Sequence, residues 1–284
     1  DGQIDNVTVG INGLDDRLET SADSFILNYS ISDPDTNDSI FSYLDLDSDG
    51  DECPDVIEAG FLDPNNDELI GGTPVNVDDK GRVTGIPDGY TKPNSDYNTF
   101  APILINTPFV DVAFCETSTS TITIVSTADT FQWEVSTDGG TNWTDITDDT
   151  TYSGATTKDL EISNLQLALN NYRYRVFLQR TGNSCGDTSN EITLTVKPLP
   201  DAITGVEIDY CIVTGDPNPT VDLTQAENQI SSTTGATFEY FRDLAGTNLI
   251  LDPVSYPPVG NVLQSVYVKV SDQGCARDLV ELVL

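Results

Sequence analysis

Neither histidine nor methionine occurs in this chain of 284 residues, and only 12 lysines and arginines stand against 47 aspartates and glutamates. Without histidine there is no Ser-His-Asp or Cys-His nucleophile pair and no zinc site of the H-E-x-x-H type. The formal net charge of -35 excludes a phosphate-neutralising stripe for nucleic acid and disfavours an anionic membrane surface. No run of about 18 apolar residues occurs, so no membrane-spanning helix is expected. A chain that starts at Asp1 and contains no methionine is expected to be a piece of a larger protein. Its length allows two or three domains.

What the sequence has in excess is acid, unevenly placed. Residues 1–100 hold 23 acids and 4 bases, whereas residues 101–284 hold 24 acids and 8 bases. In the second region the acids read as a solvated surface. In the first they are spaced. With Asp47 as position 1 of a twelve-residue loop, carboxylates fall at position 3 (Asp49), 5 (Asp51), 9 (Asp55) and 12 (Glu58). Cys53 takes position 7, where the backbone carbonyl is the usual ligand, and Asp45 precedes the loop. This is the ligand order of an EF-hand calcium loop, which offers six to eight hard oxygens to the ion. The bland alternative is a disordered acidic linker. One residue departs from the pattern: position 6, where a sharp turn normally requires glycine, is Glu52.

Weaker copies flank this loop. Asn12, Asp16 and Glu19 fit positions 5, 9 and 12; Asp33, Asp35 and Asp38 begin another loop; Asp63, Asn65 and Asp67 occupy positions 1, 3 and 5 of a further one. Each alone also reads as an Asx-rich turn. Apolar residues are few here, so bound ions are expected to supply part of the folding free energy. The run NGLDDRLET, then YLDLDSDGDECPDVIEAGF, then PVNVDDKGRVTGIPDGYTKP resembles the thrombospondin type 3-like calcium repeats of the very large, SprB-type gliding-motility surface adhesins of flavobacteria. The resemblance covers most of residues 1–98. Family members usually carry glycine where Glu52 stands. The resemblance implies calcium as cofactor, display on the bacterial surface after type 9 secretion, and movement along that surface during gliding. The implied partners are an extracellular surface or polysaccharide, other modules of the same long chain, and the outer-membrane gliding and secretion machinery.

Beyond a proline-bearing stretch at 91–107 the pattern changes to period-two alternation, in Ser120–Val125, Phe131–Val135, Leu160–Ile162, Tyr172–Leu178 and Ile192–Val196. Lys197-Pro198-Leu199-Pro200 punctuates it, and the plan resumes in 206–208, 220–223, 237–241, 265–270 and 279–284. Short alternating strands with frequent turn residues predict antiparallel sandwiches. The expected organisation is mainly β: a loop-rich calcium module at 1–107 and two Ig-like β-sandwiches at 108–198 and 199–284. FQWEVSTDGGTNWTDI, NNYRYRV and SVYVKVSDQGC resemble the Ig-like repeats of the same adhesins.

Each expected sandwich holds one cysteine near its first strand and one in its last hairpin. The spacings are similar, so disulfides are expected at Cys115–Cys185 and Cys211–Cys275. Paired cysteines imply an oxidising, exported setting. Cys53 is left as a small buried residue of the loop or as a bond to another chain. Trp133 reads as core, while Trp143 with Tyr152 is the one candidate aromatic platform for sugar. The leading expectation is a non-enzymatic segment of a large adhesin. The alternative is a carbohydrate-binding module accessory to a secreted polysaccharide-degrading enzyme.

Overall fold

The computed structural model describes residues 20–24, 26, 35, 38, 40, 42, 44–71, 74–79, 83–84, 94–106, 108–211, 215–260 and 262–284. Asn12, Asp16, Glu19 and Asp33 of the expected acidic array lie outside them. The chain forms two compact units, one of Asp1–Pro108, Ile124–Gln132 and Val176–Ser189, the other of Phe109–Thr123, Trp133–Arg175 and Asn190–Leu284.

Among its described residues the acidic region is loops with one α-helical turn, α1 (Asp55–Glu58), and one 3-10 turn, Asp96–Asn98. Cys53, Val56, Phe61 and Ala101 are buried here, and so are Ser48, Asp49, Asp51 and Glu58. Leu44, Leu46, Leu62 and Leu69 remain exposed. Among the described residues this interior is therefore as polar as it is apolar, and hydrophobic burial is only part of what stabilises it.

Residues 109–198 fold as an Ig-like sandwich. Its strands are β1 (Val112–Cys115), β2 (Ser120–Thr123), β3 (Thr130–Ser136), β4 (Thr144–Asp145), β5 (Tyr152–Ser153), β6 (Asp159–Ile162), β7 (Arg173–Arg180), β8 (Asn183–Thr188) and β9 (Ile192–Lys197). One sheet has the order β1-β9-β7-β3-β4 with β8 added to β7; the other has the order β2-β6-β5. Strand β1 runs parallel to β9. Alternation does the sorting: Leu160 and Ile162 of β6, Tyr174, Val176 and Leu178 of β7, and Ile192, Leu194 and Val196 of β9 are all buried. Trp133 is 0% exposed, and its indole N–H donates to the Thr157 carbonyl at 2.8 Å, which satisfies the one polar atom buried with the ring.

The C-terminal strands are β10 (Val206–Glu207), β11 (Thr237–Phe241), β12 (Ser265–Asp272), β13 (Cys275–Ala276) and β14 (Val280–Val283), in the order β10-β14-β12-β11 with β13 on β12. The strand expected at 220–223 is reduced to one bridge, Val221 with Tyr256. Asp222 there accepts from the Thr224 amide at 3.0 Å and starts a 3-10 turn, Leu223–Ala226, that continues into α2 (Glu227–Ile230). The local cap overrides the alternation. Leu223, Ala226 and Ile230 then meet Val266, Val268 and Val270 of β12, Tyr240 and Leu282 in one core.

The cysteine pairing differs from the expected one. The bonds are Cys53–Cys185 and Cys115–Cys275, and Cys211 is free and exposed. Sheet register explains why Cys115 and Cys185 do not pair. Cys115 is level with Lys197 on β9, which meets β7 at Arg173 and Tyr174, while Cys185 lies on β8, which meets β7 at Phe177–Arg180. At about 3.3 Å per strand residue their separation exceeds the roughly 4–7 Å between Cα atoms that a disulfide spans. Cys275, in turn, is buried on β13 against Cys115 rather than Cys211. Cys53 is thus neither a free buried thiol nor a link to another chain.

Candidate metal centre

Asp47 folds the loop. Its Oδ1 accepts from the amides of Gly50 at 3.1 Å and Asp51 at 3.3 Å, and its Oδ2 accepts from the Glu52 amide at 2.9 Å. Three donors on one carboxylate turn the chain back sharply, with φ of +74° at Gly50 and +76° at Glu52. Gly50 is required twice over, because a Cβ there would also collide with the Asp35 carboxylate. Glu52 holds the left-handed conformation that glycine normally supplies, at a cost of about 1–2 kcal/mol.

Asp47, Asp49 and Asp51 each present a carboxylate oxygen, and the three oxygens lie within 4.8 Å of one another. Asp51 is held by two amides, Cys53 on Oδ1 at 3.0 Å and Ala101 on Oδ2 at 3.1 Å. Asp49 and Glu58 are 1% and 0% exposed, and none of their four carboxylate oxygens has a hydrogen-bond partner of normal geometry, although the Thr99 and Asp51 amides lie near enough to Asp49 to offset part of its upward pKa shift. Asp45 uses Oδ1 to accept from the Asp47 amide at 3.1 Å, and its Oδ2 is likewise buried without a partner. Asp55, expected at position 9, turns away: its Oδ1 accepts from the Ser48 amide at 2.7 Å and its Oδ2 from the Ser48 hydroxyl at 2.5 Å.

This crowding raises the acids' pKa values. Burial, then the charges of Asp51 and Asp47, pushes Asp49 up to about 6. Burial, then Asp51, Asp49, Asp47 and Asp55, pushes Glu58 up to about 9. Burial also raises Asp51 and Asp55. A buried ionised carboxylate without a partner costs several kcal/mol, so these side chains hold protons or a cation. The donors are all hard oxygens, the set that suits Ca²⁺ or Mg²⁺. No histidine exists to attract a softer metal, and Cys53 is committed to a disulfide.

The loop is repeated sixteen residues on with three of its four amide-to-carboxylate hydrogen bonds. Asp63 accepts from the Asp67 amide on Oδ1 at 3.3 Å and from the Glu68 amide on Oδ2 at 2.8 Å, and Asp67 Oδ1 accepts from the Leu69 amide at 3.1 Å. Asn66 and Glu68 repeat the positive φ, at +53° and +64°. Asn65 points its amide at Asp67 Oδ2, 2.7 Å away. The copy lacks a counterpart of Glu58, since Pro74 stands at its position 12. Asp38 is exposed and accepts from the Ile40 amide at 2.8 Å.

Sequence reasoning missed Ser48, Ala101, Asn183 and Cys185 as members of the site's surroundings. The last three stand 50 or more residues from Asp51 in sequence, and no local pattern marks them. Of the aromatic pair, Trp143 is half-buried with the Arg175 guanidinium 4.3 Å over its ring and its indole N–H on the Gly140 carbonyl at 3.1 Å. Tyr152 bonds the Tyr174 hydroxyl at 3.0 Å.

Residues 107–198 match a family described as a domain of unknown function, DUF8696. No curated protein matches the chain. Among solved structures, the N-terminal four Ig domains of Dscam1 isoform 1.9 are similar at 12% identity and a TM-score of 0.31, over 64% of this chain and 44% of that one. Titin domain M7 is similar at 20% identity and a TM-score of 0.26, over 34% of this chain and 93% of that one. The D1 domain of Duf (Kirre) is similar at 15% identity and a TM-score of 0.27, over 34% and 97%.

Proposed function

We propose that this chain is a non-enzymatic, calcium-stabilised segment of a large exported surface adhesin that serves surface adhesion and gliding motility. The observation that carries the calcium reading is the set of four buried, unpartnered oxygens of Asp49 and Glu58 beside Asp47 and Asp51. Asp47, Asp49, Asp51 and Glu58, with the Cys53 carbonyl, would hold one ion, and Asp63, Asn65 and Asp67 a weaker one. Two disulfides support an exported protein. Among the described residues no helix is long and apolar enough to cross a membrane. Adhesion, gliding and type 9 secretion rest on the resemblance of residues 1–98 to the adhesin repeats. In this reading the sandwiches act as spacers or contact surfaces for a polysaccharide or another extracellular surface.

The test is calorimetric titration of the metal-stripped chain with CaCl₂, with a metal count on the product. Uptake of at least one ion, with a higher melting temperature that EDTA reverses, is the expected result. No heat and no thermal shift would remove the calcium reading. Retention of chain-coated beads on glass or agarose tests adhesion separately, and equal retention of uncoated beads would remove it.

A further inference from the structure

Three contacts, all within the first compact unit, join the acidic loop to residues far along the chain. Cys53, position 7 of the loop, is bonded to Cys185, 132 residues away. Asp51, a ring carboxylate, accepts from the amide of Ala101, and its carbonyl faces the Asn183 side-chain amide at 3.5 Å. Asn183 is itself 7% exposed and pinned by its Oδ1, which accepts from the Gly186 amide at 3.2 Å.

Between loop and hairpin lies the strap 99–102. Gly182 touches it so closely that a Cβ there would stand 3.0 Å from Thr99 Cγ2 and 3.1 Å from Ala101 Cβ, at a φ of +97°. Arg180 closes the strap by donating to the Pro102 carbonyl at 2.7 Å. A small cavity of about 90 Å³ is shared by Asp51 and Glu52 of the loop, Ile103, and Asn183, Gly186 and Asp187 of the hairpin.

We infer that the tip of the β7–β8 hairpin is the positioning shell of the cation site, with Cys185 and Asn183 fixing Cys53 and Asp51, so that the ion and the hairpin stabilise one another. The inference rests on the calcium reading above. Its logic is the cost of assembling the ring. Asp47, Asp49 and Asp51 repel one another at this spacing, and the loop opens unless something outside it holds them together. The Ala101 amide, the Asn183 amide and the disulfide do so before the ion arrives, which lowers the ordering cost of binding. By linkage, whatever the hairpin adds to ion affinity the ion returns to the hairpin. Neither Cys185 nor Asn183 touches the ion; both act through loop residues, as outer-shell groups do at metal sites.

The experiment uses the full oxidised chain and Ca²⁺ alone, titrated at 25 °C. Asn183→Ala should weaken calcium binding several-fold, and Cys53→Ser with Cys185→Ser at least tenfold. A control pair, Cys115→Ser with Cys275→Ser, removes a crosslink of similar span within the other compact unit and should stay within twofold of wild type. The converse measurement needs no variant: calcium should slow amide hydrogen exchange at 181–187 of the wild-type chain at least tenfold while leaving β12 unchanged. That readout stands even where a variant fails to fold, and a merely structural hairpin would not respond to the ion. Calcium uptake with no change in hairpin exchange, or wild-type affinity in both hairpin variants, overturns this inference alone. No uptake by the wild type overturns the calcium reading and this inference with it.

Discussion

Glu52 marks how a single residue can sit against the geometry it occupies. Its φ of +76° costs about 1–2 kcal/mol, and glycine there would give back about 0.5–1 kcal/mol through greater freedom of the unfolded chain. Glu52→Gly is therefore expected to stabilise the calcium-saturated chain by about 0.5–1 kcal/mol in chemical denaturation; a loss of stability would mean the glutamate side chain makes a contact that outweighs the strain. Glu58 gives a pH signature. Its pKa, raised from 4.5 to about 9 in the fold, means the metal-free loop is most stable below about 4.5 and loses stability as pH rises towards 9. On the proposed calcium reading the ion would have to displace that proton, so affinity should rise with pH across 6–9, and titrations at pH 7 in buffers of different ionisation enthalpy should report proton release. A pH-independent affinity with no proton release would contradict a buried, protonated Glu58. The grouping of Asp47, Asp49 and Asp51 was legible because the spacing between them is local. The diversion of Asp55 to Ser48 was not, since the pattern fixes a residue's place in the loop but not the direction of its side chain.

At the scale of elements, strand positions followed from alternation wherever one face of the strand packs into a core, as in β3, β7, β9, β11 and β12. Val112–Cys115 and Asn183–Thr188 were missed: β1 exposes Ala113 and half-buries its other residues, and β8 has a buried residue only at Asn183, so neither carries a buried apolar period. Disulfide connectivity was equally hidden, because similar spacing along the chain says nothing about which strand ends meet. The observed pairing makes a direct prediction. Without reductant, an alkylating reagent should label one cysteine per chain, Cys211, and peptide mapping should recover Cys53–Cys185 and Cys115–Cys275 as crosslinked pairs. Label on Cys53 or Cys185 would refute the assignment. In the chain-entropy model, bonds spanning 132 and 160 residues each stabilise by about 5 kcal/mol, so reduction should lower the melting temperature markedly.

For the whole molecule the two bonds matter through their order along the chain: 53, 115, 185, 275. They interleave. Pulled from its ends, an unbridged stretch from Cys53 to Cys275 would extend to about 750 Å at roughly 3.4 Å per residue. With both bridges intact, the taut path runs from Cys53 to Cys115 and jumps to Cys275, about 210 Å in all. Single-molecule stretching should show this short contour in oxidising buffer and the long one after a dithiol is added; equal contours in the two buffers would contradict the interleaved pairing. In the proposed adhesin, such a segment would act as a hard stop. It can lose its folded packing under load and still transmit tension over a nearly fixed length, like a rope whose strands are stitched across one another.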